Sequence, residues 1–373
     1  MPHISSDAYF ASKIITSDLD EKYAKRLASY MEDVVKNNRF LAGAQVDVKG
    51  HRMLRPLQQE DPDMYVHVTE ERSDGIIVRG AKIHTTAAMV ADGLFVLPGR
   101  ALRAGEEDYA IAFALPVNAE GLRLICRPAM GVEMVQHPME GGTEMAIVES
   151  LVIFDDVFVP WEHVFVYKDP ENAGRLALLF ALWHRLSAVS YRAALADYLV
   201  GLGKLIAEAN GVEGAPHIQR DVVELINFAE IQKLCAKMAA YEGIEDKKSG
   251  VVIPNPIYTN VGKLYSNANY MNVRRALIDI AGGLAITAPS GDDYDNKELR
   301  KDIGKYLRGA IPGEDRFKLF LVLRQMLAII GGEEEVTMLH AEGSMRASEF
   351  ELYRTYDYSD SRKLIEKLLS RMV

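Results

Sequence analysis

Apolar positions change period twice along this 373-residue chain. Near the start, Leu19, Tyr23, Leu27, Tyr30, Met31, Val34 and Val35 fall on one stripe of a 3.6-residue period. Thr16-Ser17-Asp18 precede the stripe as candidate caps, and the predicted helix ends near Asn37-Asn38. From about residue 45 to 165 the period shortens to two. Met64–Thr69 and Gly75–Arg79 alternate, and Leu94–Leu97, Tyr109–Leu115, Leu122–Cys126 and Leu151–Phe154 follow as short strands. Asp74-Gly75, Pro98-Gly99, Asn118 to Gly121 and Gly141-Gly142 separate them. Beyond about residue 170 the long period returns. It predicts helices over Arg175–Leu205, Ile218–Tyr241, Val261–Ala281, Arg316 to about Ala341, and Ser359–Met372, with Pro254-Asn255-Pro256 punctuating the series.

This order gives an α+β chain in three segments: a short N-terminal helical segment over 1–42, a β domain over 43–168 of barrel or sandwich type, and an all-α bundle over 169–373. Composition narrows the function. There are 43 Lys+Arg against 53 Asp+Glu, a net charge of −10, which argues against a nucleic-acid partner. No apolar run approaches a membrane span, and the N-terminus lacks a secretory signal. Two cysteines, Cys126 and Cys235, in no ligand-like spacing, point to a reducing, cytoplasmic setting and to no metal site. There is no GxGxxG after a strand, no GxxxxGK[ST], no HExxH and no GxSxG.

Four places carry candidate chemistry. Arg79-Gly-Ala-Lys-Ile-His-Thr-Thr86 follows a strand and ends in two hydroxyls, which could donate to an electron-poor heterocycle; an ordinary β-turn with solvated threonines competes with that reading. Glu149 is the one acid in the run Ala146–Phe154. If its strand is buried on both faces, the carboxyl suits acid–base work; if the strand is an edge, it faces water. His184, in Phe180-Ala-Leu-Trp-His-Arg-Leu-Ser187, is a candidate base or a packed helix histidine. Asp279-Ile-Ala-Gly-Gly-Leu284 permits close approach of a ligand or simply caps a helix.

Together these stretches, with Val148–Pro160, resemble the 4-hydroxyphenylacetate 3-hydroxylase family and, within it, the 4-hydroxybutyryl-CoA dehydratase branch, on an acyl-CoA dehydrogenase-like fold. The resemblance spans nearly the whole chain. It implies an FAD site between the β domain and the bundle, with His84, Thr85, Thr86, Arg192, Gly282 and Gly283 toward the cofactor. The glycine pair would reach a neighbouring subunit's flavin. It places Glu149 and His184 on the dehydratase's acid–base pair.

Three departures qualify what the resemblance implies. Tyr191 stands where the dehydratase's helix carries an iron–sulfur cysteine, and Ala188 where it carries a catalytic tyrosine, so no cluster is expected. The match begins late, which points to a reshaped pocket or a second subunit. The late acid of the dehydratase has no clear counterpart among Glu335, Thr337 and Glu342.

Three functions stay open. The first is a cluster-free FAD enzyme acting on a small phenolic or acyl-CoA-type substrate, as a monooxygenase fed reduced FAD by a reductase, as an acyl-CoA dehydrogenase-like α,β-dehydrogenase, or as an acid–base isomerase or dehydratase-like lyase on a CoA thioester. The second is one chain of a heteromer. The third is a non-catalytic relative. A homo-oligomer, dimer or tetramer, is expected.

Overall fold

The chain opens with a helix that the apolar stripe does not announce. In the computed structural model, which describes residues 3–127, 148–329 and 331–372, α1 runs over His3–Asp18. Its buried face mixes Ala8, Ala11, Ile14 and Ile15 with Ser5, Asp7, Ser12 and Thr16, so half of the inward positions read as polar in sequence. Thr16-Ser17-Asp18 therefore belong to the end of α1. The cap of the next helix, α2 (Glu21–Lys36), is Asp20, whose carboxylate accepts from the Lys22 backbone N–H. Leu27, Met31 and Val34 of α2 are buried as the stripe predicts, and Val35 is exposed.

Eight strands follow among the described residues: β1 (Leu41–Ala44), β2 (His67–Glu71), β3 (Gly75–Thr86), β4 (Gly93–Val96), β5 (Ala112–Pro116), β6 (Leu122–Cys126), β7 (Glu149–Pro160) and β8 (Val164–Val166). They form two four-stranded sheets, ordered β1-β4-β5-β8 and β2-β3-β7-β6. β1 and β4 pair in parallel; the other pairs are antiparallel. One apolar core lies between the sheets, with Ala44, Leu94, Val96 and Phe113 from the first and Val68, Ile76, Val78, Phe154 and Val157 from the second. The Gly141-Gly142 break lies outside the described residues.

The strand predicted to end at Arg79 runs on to Thr86. Gly80 makes this possible. Its φ is +126°, and a Cβ there would collide with the Tyr65 backbone, so the strand bends through a bulge that only glycine accommodates. Lys82 then crosses to the other sheet. Its Nζ donates to Asp47 Oδ1 at 2.5 Å and to the carbonyls of Gln45 and Leu97 at 3.0 and 2.8 Å. The lysine of the Gly-Ala-Lys motif is thus a buried, fully partnered staple between the sheets.

The second half is helical. α3 (Pro170–Asn210) is one unbroken helix of 41 residues. The Asp169 side chain caps its start, Pro170 occupies the first turn, and Gly211 at φ +70° ends it. α4 (Pro216–Tyr241), the hairpin β9 (Ile244–Asp246) and β10 (Val251–Ile253), and α5 (Pro256–Ala281) follow. Short α6 (Leu284–Thr287), α7 (Gly291–Asp295) and α8 (Lys297–Tyr306) lead to α9 (Gly313–Arg324), α10 (Gly331–His340), α11 (Met345–Thr355) and α12 (Ser359–Leu369). The single helix predicted from Arg316 to about Ala341 is broken. A π-helical turn at Gln325–Ile329 separates α9 from α10, whose start is the glycine pair Gly331-Gly332, a poor helix former.

Two large cores organise this half, beside a small one of Tyr294, Ile303, Phe317 and Leu321. Leu202, Leu225, Phe228, Tyr270, Leu277 and Phe320 join α3, α4, α5 and α9. Ile15, Leu27, Phe95, Phe165, Phe180 and Trp183 fasten α1, α2 and the start of α3 to the first sheet. No helix among the described residues is long and apolar enough to cross a membrane.

Candidate functional site

The far end of β3 is bent twice more. A register shift between Lys82 and Thr85 forms a second bulge, and His84 (φ +57°) and Ala87 (φ +59°) both adopt left-handed conformations that non-glycine residues rarely hold. These bends re-aim the two threonines. Thr85 is fully buried, and its Oγ1 has no hydrogen-bond partner among the described residues. Thr86 stands opposite Glu149 in the β3–β7 register, and its Oγ1 donates to Glu149 Oε1 at 2.7 Å. The turn with solvated threonines that competed with this reading is therefore absent. Glu149 begins β7, an internal strand flanked by β3 and β6, so it is neither an edge residue nor wholly enclosed. Its side chain is held by Thr86, and its carbonyl accepts from the Arg127 N–H.

His84 lies on the surface near Lys49 and His340. Burial first, and then those two charges, push its imidazole below the ordinary histidine range.

His184 sits about four turns into α3, between the buried Trp183 and Arg185. Its Nδ1 lies 3.3 Å from Asp7 Oδ2, and its ring packs against Phe180 at 5.3 Å. Ser187, one turn on, donates to Asp7 Oδ1 at 3.3 Å. Asp7 is 4% exposed. Sequence reasoning missed it because α1 itself was missed; a buried-face periodicity that admits Ser and Asp would have found it.

A third group gathers around the turn after α10. Glu342 (φ +58°) and Gly343 (φ +90°) are both left-handed. The fully buried Arg192 donates through Nη2 to Glu342 Oε2 at 2.7 Å and to the Thr337 carbonyl at 3.2 Å, while its Nε and Nη1 have no partner among the described residues. Tyr191 donates to Glu342 Oε1 at 3.1 Å. Arg185 reaches Asn260 Oδ1 at 2.9 Å. Lys263 donates to the carbonyls of Ala341 and Gly343. The position where the resemblance implies a cluster cysteine is thus a phenol tied to a carboxylate. Glu342, left without a role in sequence, is the hub of this group; a Glu-Gly pair just past a predicted helix end was the signal.

Burial, outweighing Glu342, pushes Lys263 down to about 7. Between that value and the usual lysine range the unfolded chain holds a proton that the folded chain lacks, so stability rises with pH across that window. Subtracting the urea-unfolding free energies of Lys263→Met from those of the wild type should leave a positive slope from pH 7 to 10. One titrating group limits that slope to about 1.4 kcal/mol per pH unit. A flat difference would show that Lys263 titrates normally.

Gly282 caps α5 at φ +66°, and a Cβ at Gly282 or Gly283 would meet nothing within 4 Å. The pair therefore faces open space in a single chain. Among the described residues, no group of three or more His, Cys, Asp or Glu side chains is placed to hold a metal ion. Cys126 is exposed on β6 and Cys235 is buried on α4.

Comparison with known proteins bears on this geometry. Residues 4–166 match the family described as 4-hydroxyphenylacetate 3-hydroxylase N terminal, and residues 173–370 match 4-hydroxyphenylacetate 3-hydroxylase C terminal. The 4-hydroxybutyryl-CoA dehydratase/vinylacetyl-CoA-Delta-isomerase of Clostridium aminobutyricum is 30% identical over 304 residues, 79% of this chain. The chain spans 62% of the length of that relative. The 4-hydroxyphenylacetate 3-monooxygenase oxygenase component of Thermus thermophilus is 29% identical over 97% of this chain and 75% of its own. The crystal structure of an oxygenase component of 4-hydroxyphenylacetate 3-monooxygenase complexed with FAD superposes with a TM-score of 0.88 at 26% identity, covering 98% of this chain and 77% of that one.

Proposed function

Because this chain belongs to the 4-hydroxyphenylacetate 3-hydroxylase family, we propose that it is an FAD-dependent oxidoreductase that hydroxylates a small phenolic substrate, with reduced flavin supplied by a separate reductase. The observation that carries the reading is the corner formed by Thr85, Thr86 and Glu149. A buried hydroxyl without a partner among the described residues adjoins a carboxylate fixed at 2.7 Å. That corner belongs to a chain whose backbone follows an FAD-complexed oxygenase over 98% of its length. The scaffold we assign is acyl-CoA dehydrogenase-like, a β domain over 43–168 followed by a helical bundle over 169–373.

Thr85 fits a cofactor contact because its hydroxyl is buried and lacks a partner among the described residues. His84 and Thr86 would complete the holding set, with Arg192, fully buried and paired with Glu342, supporting it from behind. Gly282-Gly283, open within one chain, would meet a second copy's cofactor in a homo-oligomer. When bound, FAD supplies the redox chemistry, and the protein supplies orientation and polarity. Thr86 fixes one oxygen of Glu149. Glu149 and His184 hold and move protons, His184 through Nε2 because Nδ1 is engaged by Asp7.

A second reading is acid–base isomerisation of a CoA thioester. The 30% identity to a dehydratase that is also an isomerase favours it, as does retention of both Glu149 and His184. It needs no iron–sulfur cluster.

One experiment separates the two. The purified protein is loaded with FAD, desalted and examined by absorbance. It is then assayed in air with a flavin reductase, NADH and 4-hydroxyphenylacetate, and without oxygen with vinylacetyl-CoA. Retained flavin with catechol formation is the expected result. Isomerised thioester without catechol would select the second reading. Absence of retained flavin, in oxidised or reduced form, would overturn both.

A further inference from the structure

We propose that Asp7 is the positioning residue for His184: it accepts a hydrogen bond at Nδ1 and so assigns proton exchange with a bound substrate to Nε2. The inference rests on reading His184 as a proton-handling group.

Three observations carry it. First, the geometry is specific. Asp7 Oδ2 lies 3.3 Å from His184 Nδ1, and the other oxygen is 3.3 Å from the Ser187 hydroxyl. A carboxylate offers only acceptors, so in a neutral imidazole the hydrogen must sit on Nδ1. His184 and Ser187 are three residues apart on one helix and so share a face, and together they hold both carboxylate oxygens against rotation.

Second, the ring has little other freedom. It packs on Phe180 at 5.3 Å with its plane tilted by 30°.

Third, a charge is an expensive way to tie two helices together. Asp7 is 4% exposed, and among the described residues no Lys or Arg pairs with it. Burying a carboxylate without a cation costs far more than burying a serine or asparagine, either of which could join α1 to α3. The carboxylate is explained by its effect on the imidazole: it fixes the tautomer and the ring's orientation, as the carboxylate does in a Ser-His-Asp triad.

The test uses the full chain labelled with 15N-histidine, with the His184 signals assigned by their loss in His184→Asn. In the wild type, at a pH where the ring is neutral, the nitrogen shifts should report a protonated Nδ1 and a bare Nε2. In Asp7→Asn, whose amide can donate as well as accept, they should move toward the opposite tautomer. Turnover should fall about tenfold or more, with KM and retained FAD near wild type. If Asp7→Asn does not fold, Ser187→Ala serves instead. It frees one carboxylate oxygen and should give a mixture of tautomers.

Unchanged His184 shifts in the folded Asp7→Asn or in Ser187→Ala would overturn the proposal. So would a loss confined to thermal stability and flavin retention, which is the signature of a mere helix tie. Wild-type turnover in His184→Asn would instead overturn the role of His184, with the tautomer result still deciding whether Asp7 sets the ring.

Discussion

Glu149→Gln is expected to lower turnover by about 100-fold or more while the protein still folds and retains FAD. The glutamine keeps the shape and an oxygen that can accept from Thr86, so the β3–β7 pairing survives. What it loses is the ability to exchange a proton. Thr86→Val tests the same unit from the other side. It removes the donor at 2.7 Å and leaves Glu149 chemically intact but less firmly held, so its loss should be smaller and in the same direction. Steady-state turnover with reduced FAD and the substrate found active, alongside flavin absorbance, measures both. Full turnover in Glu149→Gln would remove Glu149 from the chemistry and leave it as a strand-end contact.

The largest effect on stability is expected at Glu342. Arg192 is fully buried, and among the described residues its guanidinium donates to Glu342 and to the Thr337 carbonyl. Glu342→Ala would leave a guanidinium enclosed in the bundle without its counter-charge. Breaking a buried pair from one side costs about 3–5 kcal/mol, and urea unfolding would read it directly. Replacing both partners at once, Glu342→Met with Arg192→Met, should recover much of that loss, because the uncompensated charge leaves with its partner. A loss below about 1 kcal/mol in Glu342→Ala, the range of a surface pair, would show that water reaches Arg192 and that this is not a closed charge pair.

What was legible in the sequence divides along physical lines. The long helices of the second half were readable because each buries an apolar stripe. α3 and α4 extend only a few residues beyond the predicted spans, to caps at Asp169 and Gly211 and a start at Pro216. The strands were readable from alternation, except where glycine let β3 bend and continue past Arg79. α1 was hidden because its inward face is half polar. α10 was misjoined to α9 because the π-helical turn between them carries apolar residues, Met326 and Leu327, that continue the buried run with no polar break.

For the site, the residue types at Thr85, Thr86, Glu149 and His184 were visible, but their partners were not. Thr86 with Glu149 depends on strand register. Asp7 with His184 and Glu342 with Arg192 depend on packing between segments distant in sequence. Local pattern carries no information about either. Lys82, which stood in a candidate binding turn, is instead consumed by the inter-sheet staple.

Those separations also set an order of events. Thr86 and Glu149 are 63 positions apart, Arg192 and Glu342 are 150, and Asp7 and His184 are 177. A ribosome releases the β half well before α3, and the turn at Glu342 comes later still. The threonine–carboxylate corner can therefore form on an incomplete chain. α1 can lay its apolar face on α2 and the first sheet as they form, but its buried acid must wait until His184 emerges and packs against it. The Asp7–His184 pair, proposed above to handle protons, joins α1 to a helix made much later, so it is absent from every nascent chain that ends before α3.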